Sequence, residues 1–178
     1  MIPERLTVYG LTRSQAVSTY GTLTGMAMPF VLFPSALVNS LAVVLLPSTA
    51  RHQSAGNTSG IADGISMSFR YSLYLGIFCI GVFTVFGETL GLQIFKSQDA
   101  GSFIQILAWL CPFLYLATSS GSILNGLGRT KLTFFHHLVS LLVRIAFVWF
   151  GIPVFGIRSC LWGMLASEVL LALLHILA

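Results

Sequence analysis

Charged positions along this chain are clustered, and long apolar runs lie between the clusters. No Asp, Glu, Lys or Arg occurs between Arg13 and Arg51, between Arg70 and Glu88, or between Asp99 and Arg129. A helix needs about 20 apolar residues to cross the hydrocarbon of a bilayer. The runs therefore predict an all-α fold, an integral membrane bundle of about five transmembrane helices, with spans at residues 19–46, 67–87, 103–124, 132–152 and 161–177. The first span carries Pro29 and Pro34. Each lacks a backbone donor, so this helix is expected to break or hinge there. Gly21 and Gly25 have the small-xxx-small spacing that lets two helices approach closely. Ala117 to Ser122, "ATSSGS", is a second small-residue face.

The connecting segments differ in character. "PSTARHQSAGNTSGIADG" reads as a polar loop rich in Gly and Ser. "ETLGLQIFKSQDAG" mixes Leu90, Leu92, Ile94 and Phe95 with charges and reads as a short helix lying at the interface. "GLGRTK" reads as a tight basic turn, and "GIPVFGIRS" as a tight turn opened by Pro153. The opening "MIPERLTVYGLTRS" has no apolar stretch of the signal-peptide kind behind its charges.

Composition supports the membrane reading. The chain is 56% hydrophobic and only 8% charged, with a mean hydropathy of +0.89. A soluble domain is about 25% charged. Nine Lys and Arg against five Asp and Glu give a net charge of +4. The basic residues are scattered, which argues against a nucleic-acid partner and suits loops that face anionic lipid head groups. Cys79, Cys111 and Cys160 are odd in number, and the first two lie in apolar runs, so they read as buried free thiols.

Besides Arg70, near the start of the second span, two charges fall deep inside predicted spans. Arg144 lies nine residues before Pro153, and Glu168 lies seven after Leu161. At about 1.5 Å per residue the two depths agree to within one helical turn. An ion pair between Arg144 and Glu168 could simply lock two antiparallel helices together. Alternatively, Arg144 faces a hydrated cavity and binds an anionic substrate there. His136 and His137 are neighbours whose side chains diverge by about 100° on a helix, so they are not expected to hold one metal ion, and they read as part of an interfacial belt. His175 reads as a span-end residue. No nucleophile elbow, phosphate loop or metal-spaced cluster is present, so neither enzyme chemistry nor a metal or other cofactor is expected.

Several blocks resemble the stage V sporulation protein B-like polysaccharide flippases: "IPERL" at Ile2–Leu6, Tyr20–Gly21, "LTGMAMPFVLFPSALVNSLAVVLLP" at Leu23–Pro47, "ILNGLGRTK" at Ile123–Lys131, and "GIPVFGIRSCLWG". These proteins belong to the multidrug/oligosaccharidyl-lipid/polysaccharide exporter superfamily, related to the MATE exporters and the lipid II flippases. The chain departs from the pattern after Pro47, where it has Ser48-Thr49-Ala50-Arg51-His52 without an acid, and at Asn125, where Gln is frequent. The resemblance implies a MATE-like fold of two six-helix lobes, of which these spans would be helices eight to twelve, a fragment of the second lobe. The first lobe would then be supplied in cis or in trans. The implied function is export of an undecaprenyl-pyrophosphate-linked glycan or peptidoglycan precursor across the plasma membrane by alternating access, which for the sporulation branch means precursor for spore cortex synthesis. The partners would be membrane lipids and the lipid-linked glycan. A drug or cation exporter of the same superfamily, an inactive truncated remnant, and a membrane enzyme acting on lipid-linked sugars are the alternatives.

Charge alone does not orient the bundle. Arg51, Arg70, Arg129 and Lys131 fall on one side, and Arg5, Arg13, Lys96 and Arg158 on the other. The first side carries only one acid, Asp63, and the resemblance places it in the cytoplasm. Cysteine introduced at Thr130 should therefore stay unlabelled by an impermeant thiol reagent in intact cells; ready labelling would reverse the orientation.

Overall fold

A computed structural model describes residues 1–178 as helices joined by short turns. In chain order these are α1 (Ile2–Tyr9), α2 (Arg13–Thr22), a π-helical turn (Leu23–Ala27), α3 (Met28–Leu32), α4 (Ser35–Ser54), α5 (Thr58–Phe95), α6 (Gln98–Ala108), α7 (Cys111–Gly126), α8 (Thr130–Ala146), a second π-helical turn (Phe147–Gly151), α9 (Ile152–Phe155) and α10 (Ile157–Ile176). The fold is an all-α membrane bundle. Three helical runs, Thr58–Phe95, Thr130–Phe155 and Ile157–Ile176, are long and apolar enough to cross a membrane, and there are five such spans if each of two bent pairs counts as one.

The first bent pair, Arg13–Leu32 with Ser35–Ser54, turns by 56°. The bend lies at Phe33 and Pro34, where Pro34 precedes the first residue of α4. Pro29 does not break the helix. It sits in the first turn of α3, directly after the π-helical turn, where a missing N–H is tolerated. The second bent pair, Gln98–Ala108 with Cys111–Gly126, turns by 51° within the stretch 103–124 that reads as one span. Its cause is of the same kind: Pro112 opens α7 and cannot continue the ladder of α6.

Three connections differ from the sequence reading. The polar stretch after Pro47 is mostly helix: α4 continues to Ser54, only residues 55–57 turn, and the Asn57 side chain caps α5 by accepting from the Gly60 N–H at 2.9 Å. Its polarity reports that these turns of helix stand in water, not that the backbone is irregular. The expected interfacial helix is absent, because residues 88–95 continue α5 and Gln98 begins α6. Lys96 makes the corner in the left-handed conformation, with φ 52°. Finally, Pro153 lies inside the helical run, and the chain reverses at Gly156, whose φ of 63° favours glycine.

The core runs from α1 to α10, and Leu6, Leu23, Ile104, Leu107, Cys111, Tyr115, Ile152 and Leu161 are all fully or almost fully buried. All three cysteines are buried free thiols. The lead-in α1 is a docked element: Leu6 is buried and the Arg5 guanidinium lies 3.6 Å from the centre of the Trp149 ring. The central helix is α7, buried along most of its length. Lipid tails are as apolar as Leu, so such a helix is held by close packing and interhelical hydrogen bonds. Both are present. Ser72 and Ser119 hydroxyls are 3.0 Å apart between α5 and α7, and Ser122 donates to the Ala42 carbonyl of α4. Gly76 lies against the Pro112 backbone, and Gly126 against the Leu46 carbonyl.

Gly21 and Gly25 do not act as packing glycines within this chain. Both are exposed, and a Cβ at either would meet nothing within 4 Å. Small-residue spacing marks a smooth helix face but does not say which face is covered. Gly76→Ala would place its methyl about 2.5 Å from Pro112 Cα. It should lower unfolding stability in bicelles by roughly 1–3 kcal/mol through overpacking, whereas Gly25→Ala should show no such packing cost. Equal stabilities for the two variants would contradict this packing.

Candidate functional site: an ion pair on a polar cleft

The Gly156 turn makes α8 and α10 antiparallel neighbours, and their facing sides carry polar residues at matched heights. Arg144, in the last turn of α8, donates from Nε to Ser167 Oγ at 3.0 Å and from Nη2 to Glu168 Oε1 at 2.6 Å. One turn away, Ser140 Oγ donates to the Ser167 carbonyl at 2.9 Å, and Ser167 Oγ donates to the Met164 carbonyl. Ser167 is fully buried and Glu168 nearly so, while the Arg144 side chain is 37% exposed. The acid is thus held by the bundle, and the cation stands at the edge of open space.

That space is a cleft of ≈ 550 Å³ between α7, α8 and α10. Thr118, Ser122 and Asn125 line it from α7, His137, Ser140 and Arg144 from α8, and Glu168 from α10. Arg144 and Glu168 are therefore both a pair and part of a cleft wall. A guanidinium has five N–H groups, and only those on Nε and Nη2 have partners in the chain. Paired charges make an intramembrane cation tolerable, and the remaining donors allow it to meet an anion. No group of three or more His, Cys, Asp or Glu is arranged to hold a metal ion. Pro29, Pro34, Gly21 and Gly25 do not line this cleft.

The histidines depart from their sequence reading. His175 is buried, and its Nδ1 donates to the Ala117 carbonyl of α7 at 3.0 Å. His136 and His137 flank it, with ring centroids 5.3 and 5.5 Å from that of His175. Neighbours that diverge on their own helix can still straddle one residue of another. A signal for this was present in the spacing: His137 precedes Arg144 by seven residues, and His175 follows Glu168 by seven. Two antiparallel helices with those offsets carry two polar rungs, two turns apart.

Two curated proteins of Bacillus subtilis (strain 168) are similar to the chain. Stage V sporulation protein B is 24% identical over 177 residues, and sporulation protein YkvU is 25% identical over 180 residues; each alignment covers 98% of this chain. The chain spans 34% of the length of the first relative and 40% of the second, so it corresponds to a part of each. No family model and no solved structure matches it.

Arg144→Ala would leave Glu168 unpaired among the helices and should cost a few kcal/mol of stability, within the range of roughly 3–5 known for breaking buried pairs. Arg144→Leu combined with Glu168→Leu should restore the amount of folded protein in the membrane. If the single and double variants fold equally poorly, the two charges do not stabilise one another.

Proposed function

We propose that this chain forms part of a two-lobe, MATE-like transporter of the plasma membrane, which moves an undecaprenyl-pyrophosphate-linked glycan or peptidoglycan precursor across the bilayer during sporulation. The observation that carries this reading is the partly exposed Arg144 on a polar cleft inside a membrane bundle. A pyrophosphate head cannot enter hydrocarbon unaided. It needs cations and hydroxyl or amide groups along its path while the lipid tail remains in the bilayer. Arg144 supplies the cation, and Thr118, Ser122, Asn125 and Ser140 supply the polar wall. Another lobe would close the cleft, and rocking of the two lobes would expose it to each side in turn. The transport step breaks no bond, so the function is not enzymatic. Likeness to two sporulation proteins supports the cellular setting.

Drug or cation export is the second reading, and Glu168 is the observation in its favour, as the one acid on the cleft. It is disfavoured because Glu168 is already bonded to Arg144 and much the less exposed of the two.

The test is flipping of an undecaprenyl-pyrophosphate-linked glycan in proteoliposomes by a chimera in which this chain replaces the aligned part of the Bacillus subtilis relative. The chimera should flip the lipid. The Arg144→Leu, Glu168→Leu double variant should fold but flip at background rate. Full activity of the double variant would reduce the pair to a structural lock, and a folded chimera that moves only cationic dyes would favour the exporter reading.

A further inference from the structure

The side of the bundle that carries the Gly156 turn holds a second cavity, of ≈ 960 Å³, which shares no residue with the Arg144 cleft. Tyr9 of α1 and Thr19 of α2 line it, together with the first turns of α6 and α10. Two opposite charges stand on its wall, Asp99 at the start of α6 and Arg158 at the start of α10. Neither belongs to an ion pair of the chain, and they do not pair with each other. The cavity continues inward. Ile106 and Trp162 line it and also line a further groove of ≈ 540 Å³, whose apolar wall is completed by Trp109, Phe113 and Leu165. The polar residues of that groove are bonded within the chain: Gln105 donates to the Thr84 carbonyl at 3.2 Å, and Thr84 Oγ1 donates to the Ile80 carbonyl. Asp99, Ser102, Ile106 and Trp109 recur every three or four residues, as do Arg158, Trp162 and Leu165. Each set is one helical face. The faces descend together, by about 15 Å from Asp99 to Trp109 and about 10.5 Å from Arg158 to Leu165 at 1.5 Å per residue.

We propose that this continuous groove binds one membrane phospholipid whose head group carries an ammonium beside its phosphate. The phosphate meets Arg158 and the ammonium meets Asp99, while an acyl chain follows Ile106, Trp162 and Leu165 into the bilayer. Charge complementarity selects this occupant. An anion alone would face Asp99, and a cation alone would face Arg158; a dipolar head group answers both, with a charge-assisted hydrogen bond at each end. Thr19 and Ser102 add hydroxyls on the same wall. Tyr9 and Trp162 supply the amphipathic rings that settle at head-group level. The lipid would give the α6–α10 seam the polar link that Arg144 and Glu168 give the α8–α10 seam. The site stands independently of the transport reading.

The experiment is native mass spectrometry of the chain released from detergent micelles, titrated with dioleoyl phosphatidylethanolamine or with dioleoyl phosphatidylglycerol, which has the phosphate but no ammonium. One phosphatidylethanolamine should be retained, favoured over phosphatidylglycerol by about two- to fivefold, the range that an exposed ion pair supplies. Asp99→Asn should abolish the preference without weakening phosphatidylglycerol. Arg158→Gln and Trp162→Ala should weaken both lipids. Asp99 and Arg158 are exposed, so circular dichroism should show unchanged helix content in their variants. Equal retention of the two lipids, or a preference that survives Asp99→Asn, would overturn the proposal. A chain that leaves the micelle as a lipid-free dimer would overturn it too, because a second copy would then fill the groove. The same titration of the chimera with the Bacillus subtilis relative should keep the preference; its loss there would mean that a neighbouring segment covers the groove, and would sink the site in the longer protein. Failure of the chimera to flip a lipid-linked glycan would remove the transport reading and leave these readouts standing.

Discussion

Inside a bilayer, each polar group that leaves water must find its partner within the protein. The Arg144–Glu168 pair is the costliest instance in this chain, and the arrangement of α7, α8 and α10 follows from meeting it. The two charges must sit at one depth, so α8 and α10 must be antiparallel, in contact and fixed in register. A short connection satisfies all three conditions. Gly156 provides it with a left-handed backbone that other residues resist. Ser140 and Ser167 then fix the register one turn away from the charges. A helix joined by a longer, looser loop could slide by a turn, and either charge would then face lipid.

The packing helix α7 meets the same requirement by a different route. It carries no charge, yet its run of small polar residues is bonded on three sides: to Ser72 of α5, to the Ala42 carbonyl of α4, and through the Ala117 carbonyl to His175 of α10. Glycines at the contacts let the backbones come near enough for such short side chains to reach. The same residues serve the cleft. Ser122 bonds to α4 and also lines the open space, so the cleft wall is built on a helix that the core holds rigidly. A site placed on packed helices keeps its geometry better than one placed on loops.

Hydropathy made the existence and approximate places of the apolar helices legible, because burial in lipid imposes length and composition directly. It could not give the connections. Residues 47–64 and 88–101 read as loop and interfacial helix, although most of them prolong α4 and α5 or begin α6; hydrophilic composition reports solvation and is silent on backbone shape. The prolines were visible, yet their effects depend on position. Pro34 and Pro112 stand where a helix must restart, and the chain bends beside them. Pro29 and Pro153 each follow a π-helical turn and start a helix without such a bend. Gly21 and Gly25 show the limit of spacing motifs, since the same pattern lies on a covered face or an open one. The matched depth of Arg144 and Glu168 was legible because one charge in a span demands another. The histidines were legible only in the same two-helix frame, where their sevenfold offsets from the charged pair become a second rung.

The two rungs differ in what they can do. A guanidinium keeps its charge throughout the accessible pH range, so Arg144 provides a constant attraction that Glu168 partly cancels. The first is bonded across the seam, and only its Arg144 side reaches well into the cleft. The second ties the seam to a third helix, because the His175 ring donates to the Ala117 carbonyl of α7. Two antiparallel helices joined by one polar rung can still pivot about it. A second rung two turns away, with the Ser140 step between, fixes their register and their distance from α7 together.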